Sequence, residues 1–195
     1  MDKPEPAELD RVDELIQLSL KLFLERGYDN TPMSLISKEV GLTKAGIYHH
    51  FENKEHILYA VHKKSVEKNL LPLIEKAEQI TDAETRLRTY LYDLARQLTR
   101  EPTATVLLSE ARRMSPEHYK EISGVWRRSY GVLQKAIVEL QEQGRCPKHL
   151  NPAFATFAAL GSASWIVFWF DYSRPESGEE AARTIVDIFM KGLLS

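Results

Sequence analysis

Apolar residues return every three or four positions almost from one end of the chain to the other, and no stretch alternates with a period of two. That pattern predicts helices throughout and no sheet. Leu9, Val12, Ile16, Leu20 and Phe23 make one stripe of a first helix, which Gly27 ends. Thr31-Pro32 reads as a cap followed by proline at the first position of a second helix reaching Val40. Gly41 breaks that helix, and Thr43 caps a third over about residues 44–50. Asn53 caps a long fourth helix to about Glu78, with Pro72 placed to bend it. Further helices are predicted from Asp82 to Arg100, from Glu101-Pro102 to Arg113 and from Ser115-Pro116-Glu117 to Gln143. An apolar helix, Asn151–Tyr172, and an amphipathic one ending at Leu194 complete the chain. About nine helices make an all-α protein. Short helices give way to long ones near residue 53, so 1–52 reads as a small N-terminal domain and 53–195 as a larger helical bundle.

Within the first domain, residues 33–52 have the anatomy of a helix-turn-helix. Ile36 and Val40 face inward, Gly41 supplies the turn, Leu42 plugs the junction, and Ile47 and Phe51 bury the second helix. Thr43, Lys44, Ala45, Tyr48 and His49 are then left on the outer face, with the helix N-terminus foremost. This is the presentation that major-groove recognition requires. Ala45 and Gly46 keep the backbone bare for close approach, while Lys44, His49, His50 and Lys54 offer donors to phosphate. On spacing alone the same corner also serves as plain helical scaffold.

Charge sharpens the picture only locally. The 195 residues carry a formal net charge of −2, so the chain as a whole lacks the basic footprint of many nucleic-acid binders. Residues 34–68, however, hold six lysines against four glutamates, and four of the six histidines. The single cysteine, Cys146, excludes an internal disulfide framework and a cysteine-rich zinc site. The first twenty residues carry six acids and no basic leader, so no signal or transit peptide is expected. Residues 151–170 are uncharged and long enough to span a bilayer, but Thr156, Gly161, Ser162 and Ser164 interrupt them. A buried helix of a cytoplasmic protein, with no membrane partner, is the expectation. No Gly-rich phosphate loop, HExxH or G-x-S-x-G is present, so no enzyme, metal or cofactor is expected.

The run 27–58 closely resembles the DNA-binding segment of TetR-type (TetR/AcrR) transcriptional repressors. The residues that carry the resemblance are Gly27-Tyr28, Thr31, Gly41-Leu42-Thr43-Lys44, Tyr48-His49-His50-Phe51 and Lys54-Glu55. The resemblance implies a three-helix DNA-binding domain with a helix-turn-helix, followed by a ligand-binding and dimerisation bundle. It implies operator contacts from Thr43, Lys44, Ala45, Gly46, Tyr48, His49 and His50, with Thr31 and Lys54 on phosphates. The implied partners are a near-palindromic double-stranded operator, a small lipophilic effector and a second copy of the chain, joined through the last two helices.

The remaining residues fit those expectations on physical grounds. Small residues in the apolar helix permit close helix approach, and Ala182, Ile185, Ile188 and Leu193 line one side of the last helix. Tyr90, Leu94, Leu108, Arg112, Trp126, Tyr130, Phe157, Trp165 and Trp169 are the candidate effector-binding residues, an aromatic and apolar set with one cation. The tail Trp165-x3-Trp169-x-Asp171-Tyr172-x2-Pro175 resembles members of the family that govern fatty-acid, steroid or aromatic-acid breakdown, which implies an acyl-CoA thioester. An unrelated aromatic compound stays open as effector, and activation stays open beside repression. A helical ligand-binding protein without DNA is the remaining alternative.

Overall fold

The structure is a computed structural model that describes residues 6–100 and 102–194, with side chains from Arg11 onward. The expected contact of Leu9 and the expected cap at Glu101 lie outside the described residues. Among these residues there are nine helices and no strand, counting 54–78 as one helix. They are α1 (Pro6–Arg26), α2 (Met33–Glu39), α3 (Lys44–His50) and α4 (Lys54–Ser65, Val66–Leu70 and Leu71–Glu78). Then come α5 (Ala83–Leu98), α6 (Ala104–Glu110), α7 (Pro116–Glu142), α8 (Pro152–Ser164) and α9 (Gly178–Leu193).

Pro72 has no N–H to offer the carbonyl four residues back, and its ring would crowd that oxygen in a regular helix. Directly before it, Val66–Leu70 widens into a π turn and α4 continues. Asp82 and Asn151 cap α5 and α8 with their side-chain oxygens.

Two compact units emerge, and they divide the chain differently from a single cut after residue 52. The first holds residues 1–65 together with 105–122; the second holds 66–104 and 123–195. In the first, α1 packs on α2 and on the first half of α4, and α2 on α3. Leu15, Phe23, Ile36, Ile47, Ile57 and Leu58 fill its interior. In the second, α5 is the central helix, packed on the end of α4, on α8 and on α9. Leu87, Tyr90, Leu91, Leu133, Ile137, Ala159, Ala163 and Met190 share one core there. Each large aliphatic side chain removed from water stabilises by about 1.5–3 kcal/mol.

The apolar helix is shorter than predicted. It ends at Ser164, and Trp165–Phe168 tightens into a 3-10 turn. Apolar spacing cannot separate the two forms, while a run of aromatic and β-branched residues has little helix propensity to resist the change. The turn directs Ile166, Val167 and Phe170 into a small cluster with Ala104, and the Tyr172 hydroxyl donates to the Leu98 carbonyl at 3.0 Å. No helix among the described residues is long and apolar enough to cross a membrane.

Candidate nucleic-acid interface

The α2–α3 corner forms because its turn residues leave one conformation open. Gly41 sits at φ +66°, a left-handed position that side chains disfavour, and lets Leu42 N–H reach the Ser37 carbonyl at 2.8 Å. Thr43 then caps α3, its Oγ1 accepting the Gly46 N–H at 3.1 Å. Ile36 and Ile47 are fully buried, and Val40 and Phe51 nearly so. Arg11 of α1 donates to the Val40 carbonyl at 2.7 Å, satisfying an end of α2 that the turn leaves open. Periodicity gives no hint of that contact, because a charged residue beside an apolar stripe looks solvated.

Thr43, Lys44, Ala45, Tyr48 and His49 all lie exposed on one face, with Gly46 and His50 half-buried beside them. The structure places these residues together at the exposed side of the corner. Two others are placed differently. The sequence reads Thr31 as the cap of α2 and a phosphate contact, yet Pro32 takes the cap position and offers no side-chain bond. Thr31 is fully buried and its hydroxyl donates to the Gly27 carbonyl at 2.8 Å, so it fastens the α1–α2 loop instead. Lys54 turns inward: Nζ donates to the Tyr28 carbonyl at 2.7 Å and stands 4.1 Å from the centre of the Tyr28 ring. Burial lowers the Lys54 pKa from its ordinary value. Arg113 grips Asp29 with two bonds of 2.8 and 2.7 Å on the same loop. Burial first, and then Glu55, raises the Tyr28 pKa.

The predicted effector residues scatter. Leu108 and Arg112 are exposed members of the first unit. Tyr90 and Leu94 lie in the core of the second, where the Tyr90 hydroxyl bonds the Ser129 hydroxyl. Burial pushes the Tyr90 pKa up to about 12, so its oxygen keeps its proton. Trp126 and Tyr130 are half-buried, and Tyr130 accepts from Gln134 Nε2 at 2.9 Å. The Phe157 ring lies 5.1 Å from that of Tyr130 but is mostly exposed. Trp165 and Trp169 are exposed too, alongside Phe154, Phe168 and Ile188. A groove of about 420 Å³ lined by Lys76, Arg88, Thr89, Tyr92, Asp93 and Arg183 contains none of the predicted effector residues. Its charges are already paired, Lys76 with Asp93 at 2.6 Å and Arg88 with Asp187 at 2.9 Å.

Comparison with known proteins bears on both units. Residues 15–61 match the family model described as bacterial regulatory proteins, tetR family, and residues 81–193 match the tetracyclin repressor-like C-terminal domain. The negative transcriptional regulator IcaR of the biofilm operon icaADBC in Staphylococcus epidermidis is 46% identical over 55 residues. That match spans only 28% of this chain and 28% of the relative. Solved structures match over nearly the whole chain. The TetR family regulator PfmR from Thermus thermophilus is 31% identical, with a TM-score of 0.82 over 93% of this chain and 96% of that one. AibR, solved in complex with isovaleryl coenzyme A and operator DNA, is 25% identical, with a TM-score of 0.82 over 91% of this chain and 97% of its own.

Proposed function

Given that the chain belongs to the tetR family of bacterial regulatory proteins, we propose that it is a homodimeric repressor that leaves its operator when a small lipophilic acid, as its acyl-CoA thioester, binds the second unit. The observation that carries the reading is the outer face of α3. Thr43, Lys44, Ala45, Tyr48 and His49 are all exposed on a helix whose other side is locked by Ile36, Ile47 and Phe51. A helix so held can enter a major groove without rearranging, and Lys44 and Tyr48 supply polar groups at its leading turns.

The second unit supports the dimer reading. Phe154, Phe157, Trp165 and Ile188 expose large apolar side chains on α8, the turn after it and α9. Large apolar side chains exposed on a water-facing helix pair are more stable against a second copy, which is the geometry of a C2 four-helix interface. Two recognition helices about 34–36 Å apart then read a near-palindrome. The thioester class is supported by AibR, whose complex holds both isovaleryl coenzyme A and operator DNA. Tyr90, Leu94, Trp126 and Tyr130 are the second-unit residues proposed to meet the acyl chain. The thioester releases DNA by favouring a conformation in which α4 has swung and the two recognition helices no longer match successive grooves. A 1:99 to 99:1 reversal requires about 5.5 kcal/mol of differential affinity.

Two measurements test this. Lys44→Ala and Tyr48→Phe are expected to weaken operator binding, the lysine change by about 1–3 kcal/mol, with the dimer intact in sedimentation. Normal binding by both variants removes α3 from the groove. A thermal-shift panel of short branched and long-chain acyl-CoAs against the free acids is expected to show stabilisation by thioesters only. No stabilisation by any thioester removes that effector class while leaving the DNA reading intact.

A further inference from the structure

Within the first unit, the start of α4 meets the first turn of α7 through Glu55, His56 and His118. Glu55 Oε1 accepts the Ser115 N–H at 2.8 Å, and His118 Nδ1 lies 2.9 Å from Oε1 and 3.2 Å from Oε2. The His118 ring stacks on Tyr59, with centroids 3.8 Å apart and planes 7° from parallel. The His56 ring stands edge-on to His118 at 5.2 Å. One donor atom from each of Glu55, His56 and His118 lies within 4.8 Å of the other two. All three residues are half-buried.

We infer that Glu55, His56 and His118 form a binding site for one divalent transition-metal ion of the zinc class. Two imidazoles and one carboxylate are the donor set of such ions, whereas magnesium and calcium take oxygen ligands. The spacing suits the ion. Bonds of about 2.0–2.1 Å in a tetrahedron put neighbouring ligand atoms about 3.3 Å apart, and His118 Nδ1 already stands 3.2 Å from Glu55 Oε2. The ion would lie between those two atoms. Glu55 Oε1 retains the Ser115 N–H, a bond that aims the carboxylate, and the Tyr59 face fixes the plane of His118.

A purely structural role accounts for part of the cluster only. Capping of α7 explains Glu55, stacking explains His118, and the pairing with Glu52 at 3.8 Å accounts for His56, but none of these requires the three donor atoms to converge within 4.8 Å. A bound ion would fasten the beginning of α4, one short loop after the recognition helix, to α7. The site is independent of whether α3 contacts DNA.

The test uses the full chain without a histidine tag, stripped with a chelator and dialysed. Titration with Co²⁺ is followed by visible absorption and titration with Zn²⁺ by calorimetry. The expected result is one equivalent per chain, with the ligand-field band of four-coordinate cobalt, lost on adding zinc. His56→Ala and Glu55→Gln are each expected to weaken binding at least about tenfold. Glu55→Gln keeps an oxygen for the Ser115 N–H, so its fold is preserved, which circular dichroism checks. Absence of saturable one-equivalent binding overturns the site. So does undiminished binding in both folded variants, which would place the ion elsewhere, for instance at the adjacent His49 and His50 rings.

Discussion

The exposed surfaces of the two units differ in their chemistry. On the first, the exposed side of α3 carries a hydroxyl, a lysine, a phenol and an imidazole over a sealed apolar core. On the second, the exposed sides of α8 and α9 carry phenylalanine and isoleucine, and the turn between them tryptophan. A polar face on a rigid corner suits a hydrated, charged partner such as DNA. An aromatic face is stable when covered, which is why a second copy is proposed as its cover. Charge is just as local: the basic excess sits at 34–68 although the whole chain is slightly acidic. Function in this molecule is thus a local property of each surface, and whole-chain averages conceal it.

The sharpest way to break the comparison is to make the second surface resemble the first. Ile188 is 70% exposed and Phe154 73% exposed, so Ile188→Glu with Phe154→Glu should cost the monomer little. Sedimentation is expected to show monomers, with operator affinity lowered about 10²–10⁴-fold as two linked half-site contacts become separate ones. A double variant that remains dimeric with full affinity would show that this face is not the interface.

Interior packing gives the next effect. A Cβ on Gly178 would lie 2.5 Å from Thr99 Oγ1 and 2.8 Å from Arg96 Nη1 at the start of α9. Gly178→Ala is therefore expected to destabilise by about 1–3 kcal/mol in denaturant titration. Gly131 has nothing within 4 Å of such a Cβ, and Gly131→Ala in α7 should stabilise by up to about 1 kcal/mol. Equal effects at the two sites would contradict the close approach of α9 to Thr99.

The smallest predicted effect belongs to the first unit. His62 is buried in α4, Nδ1 2.8 Å from the Leu58 carbonyl and Nε2 3.1 Å from the Leu107 carbonyl. Burial lowers its pKa below the ordinary 6.5. The unfolded chain therefore takes up the proton first, and the stability due to neutral His62 is complete above pH 6.5. That stability is lost as pH falls from there through the folded value. His62→Gln is expected to flatten this part of the pH–stability profile; an unchanged slope would assign it to other groups.

How much of this was legible follows from what periodicity encodes. Gly41, Thr43, Ile47 and Phe51 specify the α2–α3 corner through local geometry, so both the turn and its outer face could be read from the chain. Thr31 could not be placed, because a threonine before a proline has the form of a cap whether or not its hydroxyl turns back to Gly27. The effector residues were the least legible. In a helical bundle, core, cavity wall and interface share the same apolar spacing, so Tyr90 and Trp165 look alike in sequence, yet one is fully buried and the other 64% exposed. The Glu55–His56–His118 cluster was invisible for another reason: the fold alone brings His118 to the other two, more than sixty residues away along the chain.

The central claim is that α3 reads sequence as one of two copies. Selection of bound duplexes from a random DNA pool, carried out in parallel with the native chain and Lys44→Ala, tests it most directly. The account predicts an enriched near-palindrome with the native dimer that is lost or strongly weakened with the variant. No enriched sequence from a folded, dimeric protein would contradict it.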